Sequence, residues 1–223
     1  RWLHHRVFTG TLARVPLGGG APRELLENVR EADWSPDGSQ LAIIREAQGK
    51  DRLEFPIGKV LYESSGYLSD VRVSPAGDRI AFMEHPLRYD DRGGVSVVDL
   101  AGHRVVLADG YAVEEGLAWA PGGRELIFSA WGEGTASYQL MAVDLEGHVR
   151  HPATVPGDIT LQDVAPGGAW LATSDDQTTR VIVRGPGSAE ERDLSWLDNS
   201  QAPRISRDGG AISFTDQSAS AGS

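Results

Sequence analysis

The stretch that decides the fold reads Trp34-Ser35-Pro36-Asp37-Gly38-Ser39-Gln40-Leu41-Ala42-Ile43. Its first half has the composition of a tight turn, because proline pre-sets the backbone at the second turn position and glycine supplies a positive φ at the fourth. An apolar, β-branched run follows at once, which is typical of a strand. The stretch therefore predicts two strands joined by a hairpin turn.

The same pattern returns four more times in degraded form. The copies begin at Val73, Trp119, Val164 and Ile205. Their turn glycines recur every 39 to 46 residues, at Gly38, Gly77, Gly123, Gly168 and Gly209. A period of about 40–45 residues built from short strands is the signature of a β-propeller, in which each repeat forms one blade. The sequence therefore predicts an all-β propeller of four-stranded antiparallel blades, with five blade-equivalents.

A second, weaker repeat lies between successive copies of the first. It covers residues 15–19, 55–59, 98–102 and 143–147, with a faint fifth copy at 181–185. We label the strands of a blade a to d from the inside outward, so that the first element is the a–b turn and the second is the c–d turn. Both turns are expected on one face of the propeller, and the b–c and d–a loops on the other.

Two interpretations of the chain ends remain open. Residues 11–26 read as strands c and d, four a-b-c-d units follow, and strands a and b end near Asp216. The terminal a–b pair could close against the first c–d pair and form a composite fifth blade without an open edge. Alternatively, the chain is a fragment of a larger propeller, and a homodimer is then expected to cover its exposed edges. In both interpretations residues 1–223 form a single propeller domain, full or partial.

Composition excludes several classes of function. A net charge of −11 repels phosphate backbones, so nucleic acid is not an expected partner. The absence of cysteine excludes disulfides and thiol catalysis. No stretch approaches the roughly 18 consecutive apolar residues of a membrane span, which predicts a soluble domain without membrane contact.

The Trp-Ser-Pro-Asp-Gly-x-x-Leu-Ala pattern resembles the Pro-Asp-type, WD-like repeat of TolB-type β-propellers over almost the whole chain. Residues 9–23, 52–62 and 192–198 are similar to the sensor propeller that follows the kinase domain in some bacterial membrane serine/threonine protein kinases. The resemblance implies a sensory or interaction module for a protein or small-molecule ligand, and an extracytoplasmic, periplasmic location. The sequence lacks the Gly-rich loop, His-Arg-Asp and Asp-Phe-Gly of a kinase, so no kinase activity is expected in this chain.

The predicted b–c loops are acidic, and one carries a histidine. Carboxylates that converge with an imidazole can hold a divalent cation, and the expected ion is Zn²⁺, Mn²⁺ or Ca²⁺. The candidate metal ligands are His85, Asp90 and Asp91, with His4 or His5 from the N-terminal segment. The alternative is a solvated acidic rim, because no established metal-binding spacing is present.

Charged residues also precede the a–b turns, where they are expected to face the channel or a neighbouring blade. Ion pairs between blades are the simpler explanation, and a polar ligand is the alternative. The candidate ligand-binding residues are Asp33, Arg72, Asp163 and Arg204, together with the loop carboxylates Asp175 and Asp176. Trp34 and Trp119 occupy equivalent positions and are expected to pack between blades.

Two functions of different classes follow from these features. The favoured one is a non-enzymatic sensory or interaction module of a bacterial signalling protein. The alternative is a divalent-metal-dependent hydrolase of small esters, lactones or phosphotriesters, with a metal-bound water as nucleophile on the acidic face. The repeat itself specifies a scaffold and is nearly silent on the choice between them.

Overall fold

The computed structural model describes residues 8–131, 138–155, 158–175, 178–185 and 187–216. In these ranges the regular elements are β-strands, and the strands pair antiparallel, which confirms the all-β propeller fold. The described part of the chain contains no helix that is long and apolar enough to cross a membrane. The chain forms two compact units, Arg1–Ser174 and Asp175–Ser223, each of which is described by itself.

The described residues of the first unit form three sheets and a hairpin. The first sheet holds β1 (Gly10–Arg14), β2 (Arg23–Trp34), β3 (Leu41–Ala47), β4 (Lys50–Glu54) and β5 (Val60–Ser64). The second holds β6 (Tyr67–Val73), β7 (Arg79–His85), β8 (Gly93–Asp99) and β9 (Arg104–Tyr111). The third holds β10 (Val113–Trp119), β11 (Glu125–Trp131), β12 (Gln139–Asp144) and β13 (Val149–Arg150), and the hairpin pairs β14 (Asp158–Val164) with β15 (Trp170–Asp175).

The second and third sheets have the predicted a-b-c-d order, whereas the first has one strand more. Residues 11–26 pair as strands c and d, as predicted, but strand d does not end before the next strand a begins. Both belong to β2, and Asn28 between them has a left-handed φ of 60°. Asparagine tolerates this conformation better than most residues, so a single residue replaces the expected loop.

The second unit shows two short hairpins in its described residues. One pairs β16 (Ile182–Arg184) with β17 (Glu191–Asp193), and the other pairs β18 (Ser200–Ile205) with β19 (Ile212–Asp216). The fourth repeat supplies β14 and β15 as strands a and b, and β16 and β17 as strands c and d. In the described residues these strands form two separate hairpins, where the sequence predicts one four-stranded blade. Its strands c and d are three residues long, so they offer few ladder hydrogen bonds with which to extend a sheet.

In the first unit the core lies between successive sheets. Strand β6 packs against β2, β10 against β6, and β14 against β10. The largest buried side chains include Phe82 and Phe128 of the b strands. Trp119 is buried as predicted, but the prediction for Trp34 is wrong, since 42% of it is exposed. No sheet precedes the first one in the described part of this unit, and the Arg14 guanidinium lies 5.3 Å from the Trp34 ring centroid instead.

The a–b and c–d turns define one end of the sheets in the first unit, which we call the turn end. Gly38 and Gly77 have φ of 68° and 71°, which confirms the predicted a–b turns. In both turns the backbone N–H of the glycine donates to the carbonyl of the serine three residues earlier, at 2.8 Å. We call the opposite end, which carries the b–c and d–a connections, the loop end.

Candidate functional site

A buried polar cluster occupies the loop end between the second and third sheets. It consists of Tyr67, Ser69 and Asp70 of β6, His85 at the end of β7 and Glu114 of β10. Antiparallel pairing places Tyr67 opposite His85. Strand β6 bulges between Ser69 and Arg72, and Asp70 at this bulge has a φ of 54°. A left-handed residue other than glycine is uncommon in a strand and turns its side chain away from the regular alternation.

The His85 ring is held on both sides. It stacks on the Tyr67 ring with 4.0 Å between centroids, Nε2 lies 3.0 Å from Ser69 Oγ, and Nδ1 lies 3.9 Å from Glu114 Oε1. Tyr67, Ser69, His85 and Glu114 are each at most 1% exposed. Ser69 Oγ donates to Asp70 Oδ2 at 2.9 Å, and a His85 tautomer with its proton on Nε2 completes this chain by donating to the serine. A serine activated as a nucleophile needs the opposite direction of donation.

Asp70 links the second sheet to the third. Its Oδ1 accepts a hydrogen bond from the Gly116 N–H at 3.1 Å, and Gly116 occupies the equivalent bulge of β10 with a φ of 71°. A Cβ on Gly116 would lie 1.9 Å from the Leu161 carbonyl oxygen of β14. The bulges therefore bring successive inner strands close together, and the cluster fixes the geometry of the loop end.

The loop between β7 and β8, residues 86–92, is held by ion pairs and hydrogen bonds. The Arg88 guanidinium donates to Glu46 Oε2 at 3.2 Å, the Gly49 carbonyl at 3.3 Å and Asp51 Oδ1 at 3.4 Å, all in the first sheet. Within the second sheet, the Tyr67 hydroxyl donates to Asp91 Oδ1 at 3.0 Å. The loop is thus attached to two sheets at once.

Two apolar side chains of this loop face solvent. Leu87 is 60% exposed and Tyr89 is 62% exposed. Tyr89 also has a φ of 69°, which makes a bulky aromatic residue a conformational outlier. Outliers of this kind persist where surrounding contacts impose them, and they concentrate at functional positions.

A groove of about 300 Å³ runs beside the loop. Its lining residues are Pro86, Arg92, Gly93, Asp109, Gly110, Tyr111 and Ala112. Burial and the nearby negative charges of Glu114 and Asp109 raise the pKa of Tyr111, so its phenol stays neutral at physiological pH. The Asp109 carboxylate accepts from the Gly110 N–H at 2.7 Å. The groove therefore combines apolar walls with one carboxylate, Asp109, and one guanidinium, Arg92, which is paired with Asp90.

Several acidic residues of the loop end are neutralised internally. Asp51 is wholly buried and accepts two hydrogen bonds from Arg30, at 2.9 and 3.0 Å, and one from the Leu68 N–H at 3.0 Å. Arg88 adds a second positive charge beside Asp51 and Glu46. Arg30 and Arg88 of this chain therefore neutralise the carboxylates of Asp51 and Glu46.

The predicted metal ligands are partly brought together. His85 and Asp91 both contact Tyr67, and Asp90 pairs with Arg92 in the same loop. Hydrogen bonds from Arg92 lower the pKa of Asp90. His4 and His5 lie outside the described residues, and within the described ranges no group of three His, Cys, Asp or Glu side chains is arranged to hold a metal ion. Metal binding stays a prediction.

Of the predicted ligand-binding residues, three meet in the first unit. Arg72 donates to the Gln162 carbonyl at 3.1 Å. Burial raises the pKa of Asp33, and the negative charge of Asp163 adds to the rise. The hydrogen bond from the Val73 N–H and the positive charge of Arg72 lower this pKa and offset part of the effect. In the second unit Arg204 donates to the Pro203 carbonyl, and Asp176 and the side chain of Asp175 are outside the described part. A ligand-binding role for these residues stays a prediction.

Sequence reasoning did not identify the polar partners of His85 or the exposed pair in the loop. Ser69, Asp70 and Glu114 occupy different positions of their repeats, and nothing in the repeat pattern marks them. Leu87 and Tyr89 do carry a signal, since they are the large apolar residues of an otherwise charged loop, Pro86-Leu87-Arg88-Tyr89-Asp90-Asp91-Arg92.

Comparison with known proteins identifies the fold. No protein-family model matches the chain, and no curated protein matches it significantly in sequence. A structure described as TolB from Agrobacterium tumefaciens is 18% identical with a TM-score of 0.58, covering 92% of this chain and 73% of that one. A gluconolactonase from Xanthomonas campestris is 16% identical with a TM-score of 0.54, covering 93% and 76%.

A nidogen/laminin complex contains a third similar chain, 14% identical with a TM-score of 0.56, covering 82% of this chain and 68% of that one. The fold is thus that of a TolB-type β-propeller. The more specific resemblance to kinase-linked propellers stays a prediction, as does a single domain over residues 1–223.

Proposed function

We propose that this chain is a non-enzymatic binding propeller, a sensory or interaction module of a bacterial signalling protein that takes a protein or small-molecule ligand at the loop end. One observation carries the proposal. Loop 86–92 is attached to two sheets while it exposes Leu87 and Tyr89 to solvent. Large apolar side chains held in place at a surface are typical of binding sites, because their burial against a partner is favourable and little freedom is lost.

The buried cluster supports a structural role for the polar residues behind the loop. Ser69 gives its proton to Asp70, and the His85 ring is packed between Tyr67 and the Ser69 and Glu114 side chains. Substrate has no direct access to side chains that are at most 1% exposed. These contacts instead hold the strand ends from which loop 86–92 and the groove begin.

The fold similarities are compatible with the proposal. One similar chain is part of a complex between two proteins, nidogen and laminin. Another is a gluconolactonase, which supports the second candidate, a hydrolase of small esters, lactones or phosphotriesters that uses Zn²⁺, Mn²⁺ or Ca²⁺. Against that candidate, His85, Asp90 and Asp91 do not form a group arranged to hold a metal ion in the described residues. A periplasmic location and a homodimer remain further proposals.

Two measurements on the purified chain test the proposed function. The first is metal content together with hydrolysis of an aryl ester, a sugar lactone and a phosphotriester, with and without EDTA. We expect no stoichiometric metal and no EDTA-sensitive hydrolysis. The second is selection from a phage-displayed library of random 12-residue peptides, followed by fluorescence anisotropy with synthetic copies. Saturable peptide binding is expected, whereas EDTA-sensitive turnover without any saturable binder would replace the binding module with the hydrolase.

A further inference from the structure

We propose that the groove beside loop 86–92 binds a polypeptide segment in which a large apolar side chain is adjacent to a lysine or arginine. This inference rests on the proposed binding function and adds the site and the chemistry of the partner. It depends on three features of the loop end: the exposed apolar pair, the attachment of the loop, and the charge that remains in the groove.

The apolar surface at this place has two parts, the groove wall and the exposed Leu87 and Tyr89 of the loop whose ends, Pro86 and Arg92, line the groove. Both loop side chains are more than half exposed. Tyr111 forms part of the groove and packs edge-on against Phe128, with ring centroids 5.4 Å apart. Tyrosine beside an apolar groove is a frequent anchor in protein interfaces, because its ring buries a large area with few rotatable bonds. An apolar partner side chain is therefore expected to enter the groove beside Tyr111, with its neighbours on the exposed loop side chains.

The loop is prepared for binding before the partner arrives. Arg88 binds the first sheet through Glu46, Gly49 and Asp51, and Asp91 accepts from Tyr67. Asp90 and Arg92 pair with each other inside the loop. These contacts fix Arg88 and Asp90, the residues on either side of Tyr89. Binding then requires little additional ordering of the loop, which favours affinity.

Charge decides which residue accompanies the apolar one. Arg88 and Arg92 both face carboxylates of this chain, Glu46 and Asp51 for the first and Asp90 for the second. Asp109 lines the groove, and no ion pair of Asp109 is found within the described ranges. The whole chain has a net charge of −11. A cationic side chain of the partner thus complements the groove, whereas phosphate groups of nucleic acid or anionic lipid are repelled.

The test uses the 12-residue peptides selected on the purified chain. We expect the selected sequences to place Leu, Phe or Trp next to Lys or Arg. Substituting Leu87→Ser together with Tyr89→Ser should raise Kd at least about tenfold. Asp109→Asn, which preserves shape, should raise Kd several-fold and flatten its dependence on NaCl concentration. The matched control is Leu100→Ser, because Leu100 is 38% exposed in the c–d turn of the same sheet, at the turn end.

The outcomes separate this inference from the proposed function. If peptides bind with saturation but the loop variants and Asp109→Asn leave Kd unchanged, the chain is a binding module with a site elsewhere, and the groove proposal is wrong. Peptides enriched in Asp or Glu would also overturn it. Far-UV circular dichroism and the melting temperature of each variant verify folding, and the isosteric Asp109→Asn keeps the test valid if the loop variant is destabilised.

Discussion

The turn end and the loop end of the first unit are built from the same strands but by different rules. At the turn end the sheets repeat one another: Asp99 binds the N–H and the Nδ1 of His103 as Asp144 binds those of His148, each Nδ1 at 2.9 Å. At the loop end the equivalent of His85 in the third sheet is Trp131, and the equivalent of Ser69 is Glu115. Residues that only close a turn can recur in every repeat, whereas a site needs a set of side chains that occurs once.

The difference also concerns burial. The ion pairs and histidines of the turn end are exposed, with both imidazoles of the c–d turns 81% accessible. At the loop end, by contrast, the Arg30–Asp51 ion pair and the His85 ring are buried between sheets, where an unsatisfied polar group is costly. Equivalent substitutions at the two ends should therefore have very unequal effects. Three matched pairs of substitutions test this difference, and one titration probes the turn end alone.

The largest expected difference in stability is between two bidentate ion pairs, one buried at the loop end and one half-exposed at the turn end. Asp51→Asn should destabilise the protein by about 3–5 kcal/mol, because it leaves the buried Arg30 guanidinium without its carboxylate. The matched change at the turn end is Glu125→Gln, which removes the partner of the half-exposed Arg150 and should cost less than about 1 kcal/mol. Urea denaturation followed by circular dichroism measures both, and equal losses would show that the loop end is no more tightly coupled than the turn end.

The second pair compares two left-handed glycines. Gly116→Ala should cost about 3 kcal/mol, since the new Cβ would meet the Leu161 carbonyl oxygen at 1.9 Å in addition to the unfavourable φ. Gly38→Ala has nearly the same φ but nothing within 4 Å, so it should cost only about 1 kcal/mol. The difference between the two melting temperatures isolates the contact between β10 and β14. Indistinguishable melting temperatures would contradict that close approach.

The third pair compares two histidines. His85→Ala should cost about 2 kcal/mol or more, because it creates a cavity beside Tyr67 and leaves buried polar partners behind. His103→Ala should leave the melting temperature almost unchanged. The same reasoning makes His85→Ala a poor test of metal binding, since any activity lost could follow from loss of structure. A melting temperature unchanged by His85→Ala would show that the cluster does not stabilise the loop end.

The smallest effect is a titration at the turn end. The hydrogen bond and the charge of Asp144 raise the pKa of His148 above its ordinary value of about 6.5. The pair therefore contributes to stability below that ordinary pKa, and the contribution is lost as pH rises through the raised pKa of the folded state. NMR titration of the imidazole measures the shift. Asp144→Asn should bring the pKa back down, and a pKa that does not respond to this change would exclude the Asp144 contact in solution.

Features that depend on a local sequence pattern could be predicted from the sequence, whereas features that depend on packing between sheets could not. The turns at Gly38 and Gly77 were predictable because each conformation depends on a short local pattern that recurs. The exposure of Trp34 and the splitting of the fourth repeat were not, since they depend on which sheets lie next to a strand. Two b strands show this at the same position, five residues after the turn proline. In the second sheet this residue is Ile80, which is buried, whereas in the hairpin of β14 and β15 it is Leu171, which is 64% exposed. The pattern is the same, and only the packing differs.

The candidate site was predictable only in part. His85 and Asp91 could be placed at one end of the second blade from the strand order alone. Their burial, and the direction in which Ser69 gives its proton, depend on a bulge in β6 and on Glu114 from another sheet. A repeat pattern does not report where a strand bulges, so these features required the three-dimensional structure.

Binding is proposed to occur at the loop end, whereas the turn end has a structural role only. Hydrogen–deuterium exchange of the chain, with and without a saturating selected 12-residue peptide, tests it most directly. The prediction is that the peptide slows exchange in residues 86–93 and 109–112 and leaves residues 35–40, 74–79 and 99–103 unchanged. Protection confined to the turn residues, with the loop unaffected, would contradict the claim.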